Sequence, residues 1–71
     1  MRLMGLPNIR SYPNATVTRH EEYISMVFGG KDGEQTINVP LKYMAGDPEE
    51  AELMLLARLR EIGYEVRRVA D

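Results

Sequence analysis

The stretch Asp47-Pro48-Glu49-Glu50-Ala51-Glu52-Leu53-Met54-Leu55-Leu56-Ala57-Arg58-Leu59-Arg60-Glu61-Ile62-Gly63 carries both ends of one helix. Asp47 is a good N-cap, Pro48 suits the first helical position, and Glu50 stands three residues after the cap as a capping-box partner. Asp47, Glu49, Glu50 and Glu52 also complement the positive end of the helix dipole, each by about 0.3–1 kcal/mol at low salt. Gly63 can take the left-handed conformation just past the last turn and stop the helix there. A helix from Pro48 to Ile62 is therefore expected. At about 100° per residue, Ala51, Leu55, Leu59 and Ile62, with Leu56 at the margin, form one stripe wide enough to cover a sheet.

Downstream, Tyr64 to Val69 (YEVRRV) resumes as a strand. Upstream, Gln35 to Leu41 alternates, with Ile37, Val39 and Leu41 expected to point at the core. Pro40 cannot donate to a ladder, which places that end of the strand at a sheet edge or at its exit. Before it, Asp32-Gly33 separates two strand-like runs and predicts a hairpin, since both residues tolerate positive φ. Tyr23 to Phe28 (YISMVF) and Thr16-Val17-Thr18 are rich in β-branched and aromatic residues. Arg19 to Glu22 between them reads either as a tight turn at His20 to Glu21 or as part of one long bent strand, and the turn is preferred. Residues 1–14, with Pro7, Pro13 and Gly5, read as an irregular arm with a short edge strand near Ile9 to Tyr12.

The elements give a single small α+β domain over residues 1–71 in β-β-β-α-β order, with an α+β core over 15–69. One amphipathic helix packs on a mostly antiparallel sheet of three to four strands, and a right-handed crossover makes the strands flanking the helix parallel. Such a short chain buries only about 60% of its unfolded surface, so the core must be compact. An apolar fraction of 44% and a charged fraction of 28% fit a folded chain rather than a disordered one. The absence of cysteine excludes disulfides and thiolate metal sites and fits a reducing compartment. No run approaches the length of a membrane span and residues 1–6 are too polar for a secretory leader, so a cytoplasmic protein with no membrane partner is expected. Asn14-Ala15-Thr16 matches a glycosylation acceptor only by chance on that reading. A net charge of −2 lacks the overall positive field of a nucleic-acid binder, so such a function needs a local patch.

No motif demands a reaction, a cofactor, a metal or a small-molecule substrate, and the chain is read as non-enzymatic. His20, the single histidine, lacks the further ligands of a metal site and the nucleophile that a general base would serve. It reads as an exposed turn residue. Gly29 to Gly33 lacks the spacing of a phosphate loop and is explained by the hairpin. The carboxylates Asp47, Glu49, Glu50 and Glu52 match no calcium loop and read as capping and solubilising groups.

Two surfaces remain. Leu53, Met54 and Ala57 fall on the far side of the helix beside Arg58, Arg60 and Glu61, where an isolated domain shows water mostly polar groups. Partner or oligomer contact, cover by the N-terminal arm, and simple exposure are the three readings of that strip. Arg58, Arg60, Arg67 and Arg68 lie within eleven positions and form a candidate patch for phosphates or an acidic protein face. The first surface predicts a protein-interaction module, possessing a protein partner or self-association as a homodimer, that regulates, completes or inhibits by occlusion. In size and make-up the chain resembles the small inhibitors that bacteriophages deploy against host machinery, anti-CRISPR proteins among them. That resemblance of type implies the same occluding action. The second surface predicts the alternative, a small nucleic-acid-binding module.

Overall fold

The computed structural model describes residues 5–44 and 46–69. Four strands, β1 (Asn14–Arg19), β2 (Tyr23–Gly30), β3 (Gly33–Pro40) and β4 (Glu65–Val69), and one helix, α1 (Pro48–Ile62), follow one another as β1-β2-β3-α1-β4. The sheet order is β3-β2-β1-β4. β1 and β2 pair antiparallel, as do β2 and β3, whereas β1 and β4 pair parallel. The α+β architecture and the element order are those the sequence predicts.

The helix ends are built as their residues dictate. Asp47 Oδ1 accepts from Glu50 N at 2.9 Å, and Pro48 opens the first turn. At the other end Gly63 N donates to Arg60 O and Tyr64 N to Leu59 O, both at 3.1 Å, which is the Schellman closure. Tyr64 and Leu59, the residues such a closure brings together, are both buried. Between β1 and β2 the chain turns through His20 to Glu22, with His20 N donating to Tyr23 O at 2.8 Å. Two strands and a turn stand there, not one bent strand. In the hairpin, Gly30 faces Gly33 across Lys31 and Asp32. Only Gly33 takes positive φ, at 110°, and Asp32 does not. The Asp-Gly pair therefore closes the hairpin through its glycine alone.

Alternation divides the sheet into two faces. Ala15 and Val17 of β1 and Ile24, Met26 and Phe28 of β2 are buried beneath the helix, where they meet Ala51, Leu55, Leu56, Leu59 and Tyr64. Each such large side chain contributes on the order of 1.5–3 kcal/mol by leaving water. The Phe28 and Tyr64 rings tilt against one another with centroids 5.1 Å apart. Nothing among the described residues covers the other face, which carries Thr16, Thr18, Ser25, Thr36, Asn38, Glu65 and Arg67.

Several expectations are corrected. Ile62 is 46% exposed although it shares the inner arc, because it is the last residue of α1 and the chain turns away at Gly63. Ile37 and Val39 face the core but are only half-buried, since α1 lies over β1 and β4 and leaves β3 at the rim. Leu41 is outside the strand, in a short 3-10 turn (Leu41–Tyr43), anchored by its N–H to Glu22 O at 2.9 Å. Ile9 to Tyr12 is a turn instead of an edge strand: Asn8 O accepts from Ser11 N and Tyr12 N, and Asn8 Oδ1 from Arg10 N. Those local bonds satisfy backbone groups that a strand would have offered to a neighbour. The described arm, residues 5–13, closes the end of the core where helix and hairpin meet. Tyr64 donates its hydroxyl proton to Pro7 O, and Ile9, Leu6 and Tyr12 pack on the core.

Candidate functional site

The site begins with the one charged residue that the fold buries among the described residues. Glu52 retains 1% of its exposure, on the inner arc between Leu59 and Leu56. An isolated carboxylate there would be costly, so it must be paired. Arg68, on the inward-facing side of β4 with Val66, donates through Nη2 to Glu52 Oε1 at 2.8 Å. Arg19, in phase with Ala15 and Val17, brings Nη1 to 3.5 Å from the same oxygen. That Nη1 is itself buried and makes no hydrogen bond. The capping and solubilising role expected of Glu52 is therefore wrong: helical geometry aims it at the sheet, where it ties α1 to β1 and β4. Asp47 caps as expected by accepting from Glu50 N, but among the described residues no bond from Asp47 N to the Glu50 carboxylate completes the capping box.

A wheel drawn at about 100° per residue would have revealed this, since Glu52 falls inside the arc that Ala51, Leu55, Leu59 and Leu56 define. The period-2 phase of Arg19 with Val17 and of Arg68 with Val66 points both arginines to the same layer.

The outer side of α1 has three lanes. Leu53 (49% exposed) lies in one with Glu49 and Arg60, Ala57 and Glu61 hold the middle, and Met54 (61% exposed) flanks the other with Arg58. Arg58 Nη1 sits 3.7 Å from Glu61 Oε2 in an exposed pair that adds little to stability. The arm docks at the far end of the helix, so Leu53 is not covered by residues 5–13. Cover by arm residues 5–13 is thereby removed from the readings of this strip; residues 1–4 of the arm lie outside the described residues.

The four arginines do not share a face. Arg58 and Arg60 stand on opposite flanks of α1, Arg67 points to the open sheet face, and Arg68 is engaged by Glu52 beneath the helix. His20 is half-buried rather than exposed, with its ring stacked on Tyr23 at 4.4 Å. Among the described residues no three His, Asp or Glu side chains are grouped to hold a metal ion. A shallow concavity on the open sheet face, floored by Thr16 and Val27, is flanked by Lys31, Glu34, Glu65 and Arg67. Its walls carry both signs of charge and select no single ligand class. Among the described residues no helix is long and apolar enough to cross a membrane. No family model matches the chain, and neither the curated proteins nor the solved structures contain a match to it.

Proposed function

We propose that the chain is a non-enzymatic protein-interaction module of the cytoplasm, which regulates, completes or inhibits a partner by covering part of its surface. The observation that carries this reading is the exposure of Leu53 and Met54 on a helix whose buried stripe, Ala51, Glu52, Leu55, Leu56 and Leu59, is already committed to the sheet. Rigid backbone beneath exposed apolar side chains lowers the ordering cost of association. Arg58, Arg60 and Glu61 around Leu53, Met54 and Ala57 supply the polar rim of such a contact.

Affinity purification from the native host tests the proposal, with Met54→Asp as the paired variant. The expected outcome is a stoichiometric protein partner that the wild type retains and Met54→Asp, folded by circular dichroism, loses. Equal recovery by both removes this helix surface from the proposal.

Nucleic-acid binding would have to proceed without a common arginine face. A gel-shift titration at low salt addresses it, with affinity falling steeply as salt rises if phosphates are contacted, and no shift if they are not.

A further inference from the structure

We infer that two copies of this chain associate through the outer edge of β4, joining their sheets across a two-fold axis into one continuous sheet with two antiparallel helices on one face. The inference goes beyond the partner-binding reading and does not depend on it: it assigns Leu53 and Arg60 to the second copy and leaves Met54, Ala57, Arg58 and Glu61 as the surface for a protein partner.

Glu65 N donates to Pro13 O at 2.8 Å, so Glu65, Arg67 and Val69 direct their backbone groups toward β1. Val66 and Arg68 therefore direct theirs outward, and β4 ends the sheet on that side. Among the described residues nothing pairs with this edge, which is a template for another strand.

Charge selects the register. In an antiparallel pairing about a two-fold axis perpendicular to the sheet, each residue meets one from the same face of the other copy. With Val66 on the axis, Glu65 stands opposite Arg67 of the second copy, and Arg67 opposite Glu65. These are non-hydrogen-bonded positions, where cross-strand side chains approach most closely. Moving the axis to Arg67 would set like charges opposite one another. Arg68 adds no repulsion of its own, because Glu52 already holds it at 2.8 Å.

The helix fits the same axis. α1 lies over β1 and β4, and with the right-handed hand that such crossovers take, its Leu53 lane overhangs the β4 edge. Glu52, one step inward from that lane, reaches β4 more closely than β1, which agrees with this hand. Strands about 4.8 Å apart, each with a helix set about half a spacing inward, leave the two helices roughly 10 Å apart, a normal packing distance. Leu53 of each copy is then covered. Glu49 and Arg60 border Leu53 on opposite sides along the lane, so antiparallel helices bring opposite charges together. The other free edge, β3, ends in Pro40, which has no N–H to donate, and lies away from the helix.

The test is the solution mass of the full chain by sedimentation equilibrium, with circular dichroism confirming the fold of each variant. The wild type is expected at twice 8.1 kDa. Glu65→Arg and Arg67→Glu, both at exposed positions, each weaken the dimer by at least about tenfold, because two symmetric pairs become like-charged. Combining them in one chain restores the dimer. A monomer mass for the wild type at about 100 µM, well above any functional dissociation constant, overturns the inference. A dimer indifferent to both single reversals overturns it too. Met54→Asp keeps the dimer mass whether or not it loses a partner, so the two proposals fail separately.

Discussion

Glu52 and Tyr64 are the residues in which sequence and environment are most at odds. Glu52 trades hydration for two arginines, and a buried ion pair of this kind offsets its desolvation without much surplus. Glu52→Ala is expected to lower stability by about 1–2 kcal/mol, less than for a fully enclosed pair, because both released guanidinium groups can swing into water. Glu52→Leu, which keeps the volume and joins the apolar arc, should recover most of that loss or exceed the wild type in urea denaturation. An equal loss in both variants would show that the ion pair itself holds helix to sheet. Burial pushes the Tyr64 phenol above its ordinary value. Because the folded form retains that proton more strongly than the unfolded one, the stabilisation is complete below about pH 10 and is lost as pH rises through the folded value. Thermal melts above about pH 10 should therefore fall more steeply in the wild type than in Tyr64→Phe. At neutral pH Tyr64→Phe should cost about 1 kcal/mol, for the lost hydrogen bond to Pro7.

Among the elements, α1 was the most legible from sequence, since Asp47, Pro48 and Gly63 mark its ends by local chemistry that needs no tertiary partner. The β2-β3 hairpin was legible for the same reason. Asp47→Ala should cost about 1 kcal/mol, the usual worth of an N-cap. Leu59→Ala, at the middle of the buried stripe, should cost about 2–5 kcal/mol and separates a packed core from a loose one. Chemical denaturation reads both. What escaped the sequence depended on neighbours. Ile62 satisfies the helical period yet stands at the rim, because periodicity says which way a side chain points and nothing of whether the sheet extends that far. Ile9 to Tyr12 has strand-forming residues, but Asn8 closes a local turn first. Glu52 is a capping group by residue type and a core group by helical angle, and the lanes on either side of α1 differ only through the strands, β4 and β1, that lie beneath them.

On the scale of the whole molecule, the arm joins elements that are far apart in sequence. Gly30, at the end of β2, shows how closely it docks: a methyl group there would stand 2.1 Å from Ser11 O and 2.8 Å from Pro13 Cδ. Backbone cannot yield as a flexible side chain does. Gly30→Ala is expected to lift the arm from the hairpin and lower the melting temperature by several degrees, roughly the effect of a 1 kcal/mol loss in a domain of this size. Amide exchange should quicken at Ser11 and Tyr12 in that variant while Val17 and Met26 stay protected. Equal protection throughout would mean that the arm accommodates the methyl by a small shift.

The parallel pairing of β1 with β4 also decides how the domain answers mechanical force. A load applied to the chain before Asn14 and after Val69 pulls these two adjacent strands in opposite directions along their length. Their ladder, from Asn14 opposite Glu65 to Thr18 opposite Val69, is then sheared as a whole instead of being unzipped bond by bond. Stretched in that direction, the domain should yield in one abrupt step at high force, and much more gently when pulled through the β2-β3 hairpin.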